Sequence, residues 1–261
     1  MRFHKIGMVA FTGVALLAMS TAASAKPISG STSTAATGFD VSYPQCSSSL
    51  PSAIAFGIVG VNDGIVYSPN PCLAKQYQWA VKATSASTSP ETSVSFYANT
   101  ADPGPSSTHW PKGQLSPKAC SADAPSQGCD YDYGWNAATN SYNDAVAAAG
   151  SSANIHGDPW WLDVENANSW VDGALNIADL QGAADALAQL SGVTPGFYTN
   201  SSSWQSITGS TTAFSGYPAW LPGARNLTGA KSNCTATAPT HGTITLTQYS
   251  SSGLDADYDC Q

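Results

Sequence analysis

The chain is poor in charge, and the charge it has is mostly of one sign. Charged residues are 10% of 261 positions, with nine Lys and Arg against 17 Asp and Glu. Two of the bases, Arg2 and Lys5, precede an almost continuous apolar run over 6–19, and Ala23-Ser24-Ala25 then has the small-x-small form of a cleavage site. Residues 1–25 therefore read as a secretory signal. The remainder carries seven bases against 17 acids, a formal charge of −10. Cations this few and scattered cannot neutralise a run of phosphates, so nucleic acid is excluded as a partner and an anionic membrane surface is disfavoured. No later apolar run approaches the roughly 18 residues of a membrane span. Zinc-peptidase HExxH, the G-x-S-x-G elbow and the GxxxxGK[ST] and GxGxxG nucleotide loops are all missing. The expectation is a secreted, monomeric protein that uses no cofactor and no metal.

What is present suits an extracellular globular domain: 42% apolar residues, 10% aromatic, and a polar complement rich in Ser, Thr, Gly and Asn. Six cysteines, at 46, 72, 120, 129, 234 and 260, follow the signal, without the short spacings of a metal site. An even number in an exported chain implies three disulfides.

Residues 26–37 are a polar leader, expected to be flexible. From 38 to 261 one domain is expected. Short apolar runs suggest strands at 38–42, 55–61, 94–98, 159–165, 194–199, 218–221, 243–248 and around Tyr258. Helical patterns lie between them: 70–83, begun by Asn70-Pro71, then 134–149, then a stretch capped by Asn176 and stopped by Gly192, and a short one after 199. The segment 99–133 reads as a long disulfide-tied loop, a kind that is usually functional. Alternating β and α units imply a parallel sheet with crossover helices, and about eight strands in this length fit a single TIM-like α/β barrel.

Trp160-Trp161-Leu162-Asp163-Val164-Glu165 is the most informative stretch. A strand's side chains alternate, so Asp163 and Glu165 share a face with Trp161 beneath them. Glu165 and Glu91 are the only glutamates in the chain. Two carboxylates in a cleft with few cations should have shifted pKa values, as glycosyl transfer to water requires: a proton donor and a stabilising carboxylate. Capping by backbone amides is the plainer alternative. Asp40 ends the first strand, and Asp255, Asp257 and Asp259 alternate near the C-terminus. Trp161, Tyr198, Trp204, Trp220 and Tyr249 lie on or beside strand ends, where aromatic faces suit sugar rings, although most aromatics are core.

These pieces together resemble the glycoside hydrolase family 25 lysozymes. Gly38-Phe39-Asp40-Val41-Ser42-Tyr43-Pro44-Gln45 is similar to that family's G-[IF]-D-V-S-x-x-Q opening, and Leu162-Asp163-Val164-Glu165 to its D-x-E strand. Phe197-Tyr198-Thr199, Ala219-Trp220-Leu221 and Thr247-Gln248-Tyr249-Ser250 resemble its later strands, and Asp257-Tyr258-Asp259 stands where the family has D-x-N. Tyr43-Pro44-Gln45-Cys46 replaces the usual tryptophan-glutamine-glycine, and the cysteine-bearing segment after the third strand is unlike the ordinary lysozymes. Chitinase-like barrels carry D-x-x-D-x-D-x-E, but Trp161 occupies one of those acidic positions.

The resemblance implies five β/α units followed by three strands, and a muramidase that cleaves the glycan of peptidoglycan. Glu165 would be the general acid, with Asp163, Asp40 and Asp257 as supporting carboxylates. Trp161, Asn99, Tyr198, Trp220 and Tyr249 would meet the polysaccharide. A wall-binding protein that keeps the barrel without turnover is the second reading. Convergence of Asp40, Asp163, Glu165 and Asp257 at one barrel mouth is expected, with Asp255 or Asp259 able to replace Asp257. Sequence-local pairing is expected for the disulfides: Cys46–Cys72, Cys120–Cys129 and Cys234–Cys260.

Overall fold

A computed structural model describes residues 37–84, 94–121, 123–151 and 153–261. The signal-like segment, residues 26–36 of the leader and Glu91 lie outside these residues. Thr37, placed in the leader by sequence, instead opens the first strand.

Eight strands close a barrel in chain order: β1 (Thr37–Val41), β2 (Gly57–Gly60), β3 (Val94–Asn99), β4 (Trp160–Asp163), β5 (Gly196–Tyr198), β6 (Pro218–Ala224), β7 (Thr243–Ser251) and β8 (Leu254–Asp259). Neighbours from β1 to β7 are parallel, while β8 runs antiparallel to both β7 and β1 and closes the ring. The β7–β8 hairpin turns through Ser252 and Gly253, both at positive φ (53° and 82°), as a tight right-twisted hairpin needs.

Five helices follow β2 to β6: α1 (Leu73–Ala80), α2 (Gln127–Ala149), α3 (Gly173–Ser191), α4 (Ser201–Thr208) and the short α5 (Leu227–Asn233). The β1–β2 link holds only a 3-10 turn at Tyr43–Gln45, so the helices are offset by one strand from five consecutive units beginning at β1.

Three helix starts differ from the sequence reading. α1 begins at Leu73, not 70, after a turn in which Asn70 Oδ1 accepts from the Cys72 N–H. α2 begins at Gln127, not 134, so the expected loop ends seven residues earlier; Ser126 caps it by accepting from the Cys129 N–H. Two glycines inside these helices are there for packing. A Cβ on Gly134 would lie 2.0 Å from the Asp179 carbonyl oxygen of α3, and one on Gly182 would lie 1.9 Å from that of Tyr131. Helix α3 is capped by Asp172, which accepts from the Ala174 and Leu175 N–H groups. Asn176 is buried in its first turn, donating to the Ile207 carbonyl and accepting from the Val171 N–H. Gly192 ends α3 in the left-handed region, as its position suggests.

Strand alternation sorts the core into two layers. Val59, Phe96, Trp160, Leu162, Val164 and Phe197 point outward and pack with Leu73, Tyr77, Leu180 and Leu187 of the helices. Ile58, Trp161, Trp220 and Leu246 fill the barrel with Phe56, flanked by Tyr97 and Tyr198. This inner aromatic plug is the floor on which the polar residues stand.

Candidate active site

At the C-terminal mouth of the parallel strands, a cavity of ≈150 Å³ is lined by Asp40, Tyr97, Asp163, Glu165, Tyr198, Trp220, Gln248 and Asp255. No lining residue is cationic. Strand β4 supplies the pair expected from its alternation. Asp163 is its last residue, and Glu165, two further on, lies past the strand end where Asn168 N–H turns back to the Glu165 carbonyl.

Asp163 is buried and accepts a hydrogen bond of 2.6 Å from Asn99 Nδ2, while its other oxygen has no donor among the described residues. Burial pushes its pKa well above the usual carboxylate range, with the charges of Glu165 and Asp40 adding to the shift. Glu165 is half-buried, and burial alone raises it. The like charge of the pair adds to the shift of the deeper Asp163, whereas burial is the cause at Glu165.

Asp40 stands at the end of β1, its Oδ2 accepting from Gln248 Nε2 at 2.9 Å; Gln248 Oε1 in turn accepts from Tyr198 O–H at 3.0 Å. Burial lifts Asp40 to about 7, the Gln248 bond opposes that rise, and Asp255 adds to it. Asp257 is fully buried behind the cavity, receiving Trp220 Nε1–H at 2.9 Å and within hydrogen-bond reach of Asp40. Burial, then Asp40, holds its pKa well up, so Asp257 keeps a proton that it can donate to the Asp40 carboxylate.

The antiparallel last strand explains which aspartate reaches the mouth. In β8 the chain descends from the mouth, so Asp255 pairs with Asp40 at the rim while Asp257 pairs with Gly38 one step deeper. Asp259 lies deeper again, opposite Leu246. Asp255 therefore takes the lining place expected for Asp257.

Of the aromatic candidates, Tyr198 and Trp220 line the cavity, and Trp161 lies beneath, edge-to-face with Trp220. Asn99 is not among the lining residues and instead donates to Asp163. Tyr249 faces the other way, into a small cluster with Ala224, Ala230 and Ala256, because alternation on β7 gives the inward place to Gln248. Trp204 packs outside the barrel against Phe197 and Phe214. Tyr97 and Gln248 were not singled out from sequence. Tyr97 could have been, since it shares the parity of Asn99 on β3. All three disulfides form with the sequence-local pairing. Among the described residues, no group of three or more His, Cys, Asp or Glu is arranged to hold a metal ion.

A family model described as lysozyme-like protein 1 matches residues 134–233. No curated protein matches the chain. Among solved structures, the fold is similar to a family GH25 lysozyme from Aspergillus fumigatus (TM-score 0.57, 16% identity, 86% of this chain and 93% of that one). A muramidase from Trichobolus zukalii is similar at TM-score 0.55 and 18% identity, over 86% of this chain and 93% of that one. The modular Cpl-1 endolysin, solved with a peptidoglycan analogue, is similar at TM-score 0.53 and 16% identity, over 85% of this chain and 53% of that one. At such identities the shared property is the fold, and the chain is consistent with a divergent relative of the glycoside hydrolase family 25 lysozymes.

Proposed function

We propose that this protein is a secreted glycosidase of muramidase type, cleaving the glycan strand of peptidoglycan by carboxylate acid/base chemistry. The observation that carries the reading is the pairing of Asp163 and Glu165 at the mouth, two residues apart, with unequal burial and no lining cation. Glycoside hydrolysis needs one carboxyl that gives a proton to the leaving oxygen and another group that stabilises positive charge on the sugar ring. Glu165 is exposed enough to reach a glycosidic oxygen, and its raised pKa favours the protonated form an acid must start from. Asp163, held by Asn99 from the neighbouring strand, is the second carboxyl: burial favours its neutral form, and positive charge developing on the sugar ring draws it to the ionised one. Asp40, steadied by Gln248 and Asp257, supplies a third acceptor for hydroxyl or amide groups of the sugar. The rings of Tyr97, Tyr198 and Trp220 give the cavity walls that a sugar face can meet. The similarity to an endolysin solved with a peptidoglycan analogue supports this glycan class.

The deciding measurement is release of reducing ends from isolated peptidoglycan, with chitin in parallel. Wild type should release them, and Glu165→Gln, which keeps size but loses the transferable proton, should be slower by about a hundredfold or more while still binding glycan. Saturable binding by wild type without release would instead identify a wall-binding protein. Equal turnover by Glu165→Gln would place the acid elsewhere.

A further inference from the structure

A second group of carboxyls lies outside the barrel. Asp102 follows β3, Asp130 is in the first turn of α2, and Asp179 is on α3; all three are buried, at 1% exposure or less. No cation offsets them: among the described residues the one ion pair is the exposed Lys112–Asp123. Asp102 Oδ1 accepts from Gly104 N–H at 3.1 Å and Asp130 Oδ2 from Ser126 N–H at 2.7 Å. That leaves Asp102 Oδ2 and Asp130 Oδ1 without a backbone or amide donor, and the two side chains within hydrogen-bond reach of each other. Asp179 Oδ1, beside them, is also without a donor. Two carboxylates cannot bond without a proton between them, and a proton on one satisfies both leftover oxygens. Asp130 is the natural acceptor, because the α2 N-terminus and the Ser126 N–H favour its charged form.

The segment that begins at Asn99 is also bound to the loop bearing Glu165. The Thr100 N–H and O–H both donate to the Asp163 carbonyl, at 3.1 and 2.6 Å, and the Asp102 N–H donates to the Ser169 carbonyl at 2.9 Å. Gly104, at φ +60°, approaches so closely that a Cβ would come 3.0 Å from Val171 Cγ1. On the other side of the same loop, Trp170 Nε1–H donates to the Glu165 carbonyl at 2.9 Å. Residues 100–104 thus run along 163–171, and Asp102 anchors them to α2.

We propose that Asp102 and Asp130 share one proton and act as a positioning clamp for the loop that carries Glu165. Asp102 and Asp130 are positioning residues, reaching the acid through the contacts of residues 100–104 with 163–171. The inference rests on the proposed glycosidase reading for its catalytic consequence, but not for the clamp itself. Burial, and then Asp130, raise Asp102 to about 8, and Asp130 is raised by burial too. The other titratable groups around the pair are Asp172 at the α3 cap, Asp179 on α3, Tyr133 on α2, and Tyr67 beside Tyr133 with His109 stacked on its ring at 3.9 Å. Each added negative charge there favours keeping the proton. In the unfolded chain Asp102 ionises near pH 4, so its burial makes folding take up a proton. Its contribution to stability therefore declines as pH rises from about 4 to about 8 and is level above that. Above that point, two buried charges face each other and the clamp opens.

The test uses the full chain as wild type, Asp102→Asn and Asp102→Ala, melted at pH values from about 5 to about 10. Asparagine donates its amide to Asp130 at every pH. Asp102→Asn should therefore lose less Tm than wild type across pH 6–9, while Asp102→Ala should melt lower than wild type at about pH 6. The Trp170 indole N–H resonance should shift with a midpoint near 8 in wild type and stay put in Asp102→Asn. On peptidoglycan, Asp102→Asn should extend the alkaline limb of kcat upward with KM unchanged. Identical Tm profiles for wild type and Asp102→Asn, or an indole resonance indifferent to pH in wild type, would overturn the clamp. A wild type that melts and shifts as described but releases no reducing ends would sink the glycosidase reading alone.

Discussion

Replacing Gln248 by methionine isolates the network that tunes the cavity. The change keeps chain length and roughly keeps volume, but removes both the donor to Asp40 Oδ2 and the acceptor for Tyr198 O–H. A hydrogen bond to a charged group is worth about 1.5–3 kcal/mol, and one pKa unit corresponds to about 1.4 kcal/mol. Asp40 sits at about 7 with the Gln248 bond in place, and that bond favours its charged form. Without it the carboxyl should titrate about one to two units higher. Because the folded value lies above the unfolded one, Asp40 lowers stability progressively as pH rises from about 4 to its folded pKa. In wild type this decline from Asp40 ends near 7; in the variant it should continue toward 8 or 9. Gln248→Met should therefore be less stable than wild type by about 1 kcal/mol at pH 5, from the stranded tyrosine hydroxyl, and by about 1.5–3 kcal/mol more at pH 9. Carboxyl carbon-13 NMR of Asp40 and urea unfolding across pH measure the two quantities separately. An Asp40 midpoint unmoved by the substitution would refute the argument that Gln248 controls it.

Three further outcomes follow from packing and covalent structure. Gly182→Ala should cost about 2–3 kcal/mol in urea unfolding, since its methyl would meet the Tyr131 carbonyl at 1.9 Å and force α2 and α3 apart. The paired change of Cys120 and Cys129 to serine, read by thermal melting at matched pH, should lower stability by about 2–3 kcal/mol, as the loop-entropy relation gives for a separation of 9 residues. Trp220→Phe keeps the ring but leaves buried Asp257 without its indole donor, so a loss of about 1–3 kcal/mol is expected in chemical denaturation, and an unchanged midpoint would show that another group takes over.

Much of the fold was legible because alternation and helix periodicity are local properties. Trp160-Trp161-Leu162-Asp163 needs only the two-residue period of a strand to separate a helix-facing set from a barrel-facing one, and that division is observed. The disulfide partners were legible for a related reason: each pair spans at most 26 residues, within one or two neighbouring units.

Tertiary structure decided the rest. Alternation shows that Gln248 and Tyr249 face opposite ways, but not which faces the barrel; the pairing of β7 with β6 and β8 decides that. Likewise Asp255, Asp257 and Asp259 are equivalent by spacing, and only the antiparallel return of β8, with Asp255 opposite Asp40, puts one at the mouth and leaves another buried beneath it. Gly134 and Gly182 fall within helical patterns in the chain, but that they let two helix backbones touch is visible only from the partner helix. Asp102, Asp130 and Asp179 look like ordinary turn and helix-surface acids for the same reason. Local sequence sets which way a side chain can point, whereas burial, and with it the pKa of a carboxyl, is set by what other segments bring to it.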